Sequence, residues 1–352
     1  MKTAHKRRFL RIFIDLNNKC NLKCRMCYFQ LDLKKEPPVI MGLGLFGKIA
    51  SQIFPKALSV NLSCAAEPFL VPNYPDYLKR TKKYAVPETT IVTNATLLNE
   101  KIIASLMNAN ITRLNVSIDG ATKKTYEEIR KGSNFEKVLR NVTLLQEMKK
   151  KAGSKTPYLC FDYALMRSTI NEFPQFLCLA KALEADSIRA SHLIPFKSLD
   201  IMDESLVNCP DKANKILDEA RNVAKKLKLK IEVPPNFNLK DFNDKGRKKR
   251  ESSFNKPDCR VPFESMYIAS DGRVIPCVWF SIKDWCAGNF RNESFEKIWE
   301  GSVYKKLRKG FNHSVYTKYC KNCPVYGSDN IENYVFKERI REDIVNIASF
   351  CL

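Results

Sequence analysis

Short runs rich in β-branched and aromatic residues alternate with helical patterns through the first two thirds of this 352-residue chain, and that alternation limits its folds most. The strand candidates are residues 9–16, 58–62, 89–93, 113–118, 158–166 and 187–194, with a possible further one at 230–233. Helical periodicity fills residues 99–110, 135–150, 171–183 and 211–227; the first has apolar Ile102, Ile103, Leu106 and Met107 on one face. Strand, helix, strand at this spacing makes parallel βαβ units. Six such units predict a partial (β/α)6 TIM-like barrel over residues 1–233, an α/β fold with its chemistry on the loops after the strand C-terminal ends.

The pattern stops at Pro234-Pro235, and residues 234–258 read as a linker or mobile loop, polar and basic with few apolar side chains. Residues 259–352 form a second, small α+β domain. There residues 267–277 alternate around Asp271-Gly272, a hairpin signal. Short helices at 294–300 and 303–309 and a closing helix at about 332–349 complete it.

The chain carries 60 Lys and Arg against 38 Asp and Glu, a net charge of +22 that suits a polyanionic partner. Lysines are spread along the whole sequence, with one dense run at residues 246–250 (GRKKR), so the charge reads as solvated surface and no nucleic-acid partner is expected. No apolar run reaches the ~18 residues a membrane span needs. The apolar stretch 9–16 is broken by Arg11 and Asp15 and has no small-residue cleavage site, so it reads as a first strand of a cytoplasmic protein.

Thirteen cysteines exceed what packing requires, and a reducing compartment argues against a disulfide framework. They crowd at the two ends. Cys20, Cys24 and Cys27 have the spacing C-x3-C-x2-C directly after the first strand. Three thiolates on one tight loop can hold three corners of a four-iron cluster and leave the fourth iron open. A zinc loop would want a fourth ligand, and no other Cys or His occurs between there and Leu62. In the second group Cys259, Cys277, Cys320 and Cys323 come from three segments and can fully ligate a second four-iron cluster, with zinc a serious alternative on spacing alone.

The first triplet resembles the hallmark of the radical S-adenosylmethionine superfamily, and three further motifs agree in order. Ser63-Cys64-Ala65-Ala66-Glu67-Pro68 resembles that family's Gly-Gly-Glu-Pro segment, which holds the amino group of S-adenosylmethionine. Thr93-Asn94-Ala95-Thr96 resembles its Thr-Asn-Gly-Thr, and Ser117-Ile118-Asp119-Gly120 its ribose-contacting segment. Arg130 stands where relatives contact the cofactor carboxylate, and Met26 where an aromatic residue often meets the adenine. The resemblance, over residues 9–195, implies a cofactor site of Met26, Ala66, Glu67, Asn94, Ser117, Asp119 and Arg130. It also implies a [4Fe-4S] cluster on Cys20, Cys24 and Cys27, and an electron donor such as flavodoxin or ferredoxin. The expected chemistry is reductive cleavage to a 5′-deoxyadenosyl radical that abstracts a substrate hydrogen. The two alanines replacing glycines remove φ > 0 freedom but keep the backbone groups.

The C-terminal segment, with Gly272-x4-Cys277, Cys286-Ala-Gly-Asn, Ser-Phe-Glu-Lys-Ile-Trp and Cys320-x2-Cys323-Pro, is similar to SPASM/Twitch domains. The position six after Cys323 is Asp329 and only Cys351 lies beyond, so the resemblance implies one auxiliary [4Fe-4S] cluster on Cys259, Cys277, Cys320 and Cys323, with Cys286 either an extra ligand or, the favoured reading, a buried free thiol. Sulfatase-maturing relatives place an aspartate where this chain has Val278. Peptide-modifying relatives often begin with a peptide-binding domain, and 19 residues before Cys20 leave no room for one. The cysteine set is most similar to that of Twitch-bearing dehydrogenases, so the leading expectation is oxidation of a sugar- or cyclitol-type alcohol. Peptide or protein modification comes second, and an RNA-binding or RNA-modifying iron-sulfur protein third. His192 is expected either at the barrel mouth or in a structural role.

Overall fold

The computed structural model describes residues 8–27, 37–195, 199–239, 259–277, 285–312 and 320. Twelve strands are seen among them: β1 (Leu10–Ile14), β2 (Lys23–Cys24), β3 (Ala57–Asn61), β4 (Glu88–Thr93), β5 (Arg113–Ser117), β6 (Arg130–Lys131), β7 (Tyr158–Leu165), β8 (Ser187–His192), β9 (Lys230–Glu232), β10 (Ser265–Ile268), β11 (Arg273–Ile275) and β12 (Gly288–Asn289). The six expected strands β1, β3, β4, β5, β7 and β8 are neighbours in that order and pair in parallel, and β9 adds a seventh beside β8.

Side chains alternate between the two faces of each strand. Ile12, Val60, Ile91, Leu114, Val116, Phe161, Tyr163, Ile188 and Ala190 belong to the main apolar core, which the helices cover. Their neighbours Asn115, Ser117, Asp162 and Arg189 therefore face the barrel lumen, and they are polar. The helix-facing side of this sheet is thus apolar and its inner side polar, as in barrels that carry a site at the strand C-terminal ends.

Three helices were not legible in the sequence: Leu43–Ile53, Tyr74–Lys82 and Lys123–Ile129. The first carries Gly44 and Gly47, which weaken helical propensity, yet Phe46, Ile49, Ala50 and Ile53 bury its inner face. The second begins with Pro75 in its first turn and the third is seven residues long, too short for a periodicity to stand out. The expected closing helix, most of residues 234–258 and Cys323 lie outside the described residues. The described start of that segment is docked: the Phe237 N–H donates to Asn214 Oδ1 at 2.7 Å, and Arg221 Nη2 to the Pro234 carbonyl at 2.8 Å.

The C-terminal hairpin joins the barrel directly. β10 pairs in parallel with β1 on the edge opposite β3, and β11 and β12 continue antiparallel, giving one ten-stranded sheet. Gly272 sits at φ 89° in the Asp271-Gly272 turn, a conformation glycine adopts without strain.

Candidate active site

β1 delivers the chain to the loop bearing Cys20, Cys24 and Cys27, and that loop is fixed from three sides. β2 pairs antiparallel with β6, setting Cys24 opposite Arg130. The Arg25 N–H donates to the Ile129 carbonyl at 2.8 Å, and the Cys27 N–H to the Cys24 carbonyl at 3.1 Å, closing a tight turn. Asn94 Nδ2 lies 3.8 Å from Cys20 Sγ, and Arg130 Nη1 3.8 Å from Cys24 Sγ. Burial pushes the Cys20 thiol up to about 12 and raises that of Cys24, whose thiolate the neighbouring guanidinium favours. Metal binding supplies the charge that deprotonates such thiols. Among the described residues no three Cys, His, Asp or Glu side chains close on one metal position. A cluster does not require that, since each thiolate binds a different iron.

The residues expected at the successive strand ends meet around this loop. Glu67 is 2% exposed; its carboxylate accepts from Thr93 Oγ1 at 2.7 Å, the Asn94 N–H at 2.9 Å and the Phe69 N–H at 3.3 Å. It thus ties the loop after β3 to the loop after β4. Asn94 Nδ2 donates to Asn21 Oδ1 at 2.9 Å, and Asn21 Nδ2 to Thr96 Oγ1 at 2.9 Å, extending the tie to the cysteine loop. Ala95, where relatives carry glycine, sits at φ 59°. Its methyl is fully buried, and about 0.8 kcal/mol of burial per carbon offsets much of the ~1 kcal/mol left-handed strain.

Asp119 and Arg130 form a buried ion pair, Nη2 to Oδ2 at 2.6 Å, and Asp119 Oδ1 accepts the Ala164 N–H at 2.6 Å. Arg130 Nε is buried with no hydrogen-bond partner among the described residues. Gly120 holds this segment against the helix Lys123–Ile129, where an added Cβ would stand 2.8 Å from the Tyr126 nitrogen. Met26 packs on an apolar group of Ile129, Met166, Leu193 and Ile201, a surface suited to a planar base. Three cysteines on one fixed loop, an apolar wall and a buried guanidinium nitrogen lacking a partner among the described residues fit an iron cluster with a zwitterionic adenosyl ligand.

Burial lifts the Glu67 carboxyl from its ordinary 4.5 to about 7, against the three hydrogen bonds that favour its charged form. A folded-state value above the unfolded one means the native protein holds the extra proton between those limits. Stability therefore falls as pH rises from about 4.5 to about 7, by about 3 kcal/mol. Urea unfolding should show that fall in the wild type and a correspondingly smaller one in Glu67→Gln.

At the second centre Cys259, Cys277 and Cys320 pack together with Trp285 around Leu307, bringing three separate segments to one point. Cys286 turns elsewhere: its Sγ contacts the Gly288 carbonyl at 3.4 Å. Val278 and Cys323 lie outside the described residues.

His192 is not at the lumen. It shares the helix-facing parity of Ile188 and Ala190 and stacks on Phe237 with centroids 4.7 Å apart, so Ser191 takes the inward position. Burial lowers its imidazole to about 4. Sequence reasoning missed Asp15 as a site residue, though a carboxylate inside an apolar run was its signal. It also missed the Arg25–Glu204 ion pair at 2.7 Å, which no local pattern announces.

Residues 14–164 match the Radical SAM superfamily, and residues 259–324 match SPASM, an iron-sulfur cluster-binding domain. The chain is a radical SAM enzyme with a SPASM domain. The tungsten-containing aldehyde ferredoxin oxidoreductase cofactor-modifying protein of Pyrococcus furiosus is 23% identical over 334 residues, 89% of this chain and 86% of that protein. The AdoMet-dependent heme synthase of Methanosarcina barkeri is 27% identical over 62% of each chain. A probable GTP 3′,8-cyclase of Methanococcus maripaludis is 27% identical over 49% of this chain and 55% of its own length, so the match spans less than two thirds of these last two relatives. Among solved structures, Streptococcus suis SuiB bound to S-adenosylmethionine superposes with a TM-score of 0.68 over 96% of this chain and 78% of that one, at 16% identity. Native anSMEcpe with bound AdoMet gives 0.62 over 89% and 87%, at 18% identity. Both show the same fold. Among the described residues no helix is long and apolar enough to cross a membrane.

Proposed function

We propose that this radical SAM enzyme dehydrogenates a hydroxyl-bearing carbon of a small polar molecule of sugar or cyclitol type. The observation that supports this most is the lumen beneath the cofactor residues. Ser117, Asp162 and Arg189 are in register across β5, β7 and β8. Arg189 donates to Asp162 through Nε and Nη2, each at 2.9 Å, and Asn115 Nδ2 to Asp162 Oδ2 at 3.0 Å. Ala164, two residues further along β7, carries the N–H that holds Asp119, so this polar floor shares the layer of Ser117 and lies one layer below the anchor of Asp119. A charged, hydrogen-bonding floor suits hydroxyls and polar rings. The names of the sequence relatives, a cofactor-modifying protein, a heme synthase and a GTP cyclase, also point to small molecules.

Cys20, Cys24 and Cys27 would hold the first cluster and Cys259, Cys277, Cys320 and Cys323 a second. S-adenosylmethionine would lie against Met26, Ala66, Glu67, Asn94, Ser117, Asp119 and Arg130. When bound, these groups supply an adenosyl radical that takes one hydrogen atom from carbon, and an acceptor for the electron left after the hydroxyl proton departs. The chain's own residues orient the cofactor, exclude water and fix the substrate carbon. The first electron comes from a flavodoxin- or ferredoxin-type donor in the cytoplasm.

The test begins with anaerobic reconstituted enzyme, reductant and fractions of host extract, following 5′-deoxyadenosine. With the substrate identified, deuterium at the oxidised carbon should appear in 5′-deoxyadenosine, one equivalent per product. Activity confined to peptide fractions would instead establish the second reading, peptide or protein modification.

A further inference from the structure

The strand that starts the barrel ends in a buried carboxylate with an unusual set of partners. Asp15 is 4% exposed. Its Oδ1 accepts the Cys64 N–H at 2.7 Å and the Ala65 N–H at 3.2 Å. Successive backbone N–H groups converging on one anion form a nest. Because N–H and C=O point in opposite directions across a trans peptide, a loop whose N–H groups turn toward Asp15 turns the carbonyls of Ser63, Cys64 and Ala65 away from it. Carbonyls are what an ammonium group needs. The two alanines that stand where glycines are usual keep negative φ in this loop, so its shape needs no glycine, and Asp15 is what its N–H groups turn toward.

The other oxygen of Asp15 reaches the C-terminal module. Tyr267, on β10, donates from its hydroxyl to Asp15 Oδ2 at 2.7 Å across 252 residues of sequence. Tyr267 also packs with Cys64 and Ile275, beside Phe13, Ala65 and Ala269. Ten residues after Tyr267 stands Cys277, one of the cysteines gathered around Leu307. A second clamp holds the far end of the same loop, where Asn17 Nδ2 donates to the Glu67 carbonyl at 2.9 Å and the Glu67 N–H to the Lys19 carbonyl at 3.0 Å.

We infer that Asp15 is a positioning residue for the S-adenosylmethionine loop, residues 63–67, and that Tyr267 makes this loop depend on the docked hairpin of the iron-sulfur domain. The cofactor site is thus completed by the module that carries the second cluster. The inference rests on the assignment of residues 63–67 to the cofactor, which wild-type binding tests on its own.

The experiment uses the full-length, anaerobically reconstituted holoenzyme and the variants Tyr267→Phe and Asp15→Asn. Equilibrium binding of S-adenosylmethionine and hydrogen–deuterium exchange of the Cys64, Ala65 and Ala66 amides are read together. Tyr267→Phe keeps the ring and its packing, so iron content and exchange in β3 and β4 should match wild type. Cofactor affinity should fall about three- to tenfold, the size of one ordinary net hydrogen bond, and the three loop amides should exchange faster. Asp15→Asn, which removes the anion from the nest, should show the larger effect on both. A folded, iron-replete Tyr267→Phe protein with wild-type affinity and unchanged loop exchange would overturn the coupling. Slower folding or general exchange across the sheet, with affinity intact, would make Tyr267 merely structural and overturn it equally. If wild type itself does not bind S-adenosylmethionine, the loop assignment fails rather than the clamp.

Discussion

Anaerobically reconstituted protein in which Cys20, Cys24 and Cys27 are all alanine should keep about four of about eight irons and form no 5′-deoxyadenosine. The two cysteine groups sit on separate elements. The first rides on a loop fixed by β6 and by Asn94, and the second surrounds Leu307 in the C-terminal module. Removing one set therefore leaves the other's ligands in place. The converse variant, with Cys259, Cys277 and Cys320 replaced, should retain the first cluster and some abortive cleavage of S-adenosylmethionine while product formation disappears. Cluster ligation contributes to folding, so circular dichroism accompanies both measurements. Zinc-loaded, iron-free wild-type protein, or unchanged iron in the triple variant, would contradict the assignment.

Asp119→Ala should destabilise the protein by about 3–5 kcal/mol and weaken S-adenosylmethionine binding at least tenfold. Asp119 is 1% and Arg130 5% exposed, and the two are paired at 2.6 Å. Burial raises the Asp119 carboxyl, with a smaller push from the Asp162 charge, and Arg130 opposes that shift. Without the carboxylate, the guanidinium cannot shed its proton and stays charged in a desolvated place. The Ala164 N–H that donates to Asp119 loses its acceptor as well. Both losses strike the ribbon that sets Cys24 opposite Arg130, so the variant should also load its first cluster poorly. Anaerobic urea unfolding of the two proteins checks the stability change, and a difference below about 1 kcal/mol would show that the pair contributes little.

The chemistry was more legible in the sequence than the packing that supports it. Cys20, Cys24 and Cys27 stand out by their spacing alone; Glu67, Asn94 and Asp119 follow readable strands, while Arg130, which follows a helix that the sequence hid, is singled out only by the family resemblance. Asp271-Gly272 marked its hairpin for an equally local reason. What stayed hidden was long-range. Nothing near Tyr267 indicates that its strand will pair in parallel with β1, and nothing near Asp15 names its hydroxyl partner. Asp15 read only as an interruption in an apolar run. His192 shows how sensitive such readings are: a shift of one residue moves a side chain across the sheet, and it lies against Phe237 while Ser191 faces the lumen. The helix Leu43–Ile53 was masked by glycines that the buried face of Phe46 and Ile49 outweighs.

The central claim is that the Cys20–Cys24–Cys27 loop holds a cluster with an open iron that takes S-adenosylmethionine. Electron paramagnetic resonance of the dithionite-reduced enzyme, with and without that ligand, tests it most directly. The wild type and the Cys259/Cys277/Cys320 variant should each show a reduced four-iron signal whose g-values shift when S-adenosylmethionine is added, and the Cys20/Cys24/Cys27 variant should show no shift. A wild-type spectrum that S-adenosylmethionine leaves unchanged, in protein with full iron content, would contradict the claim.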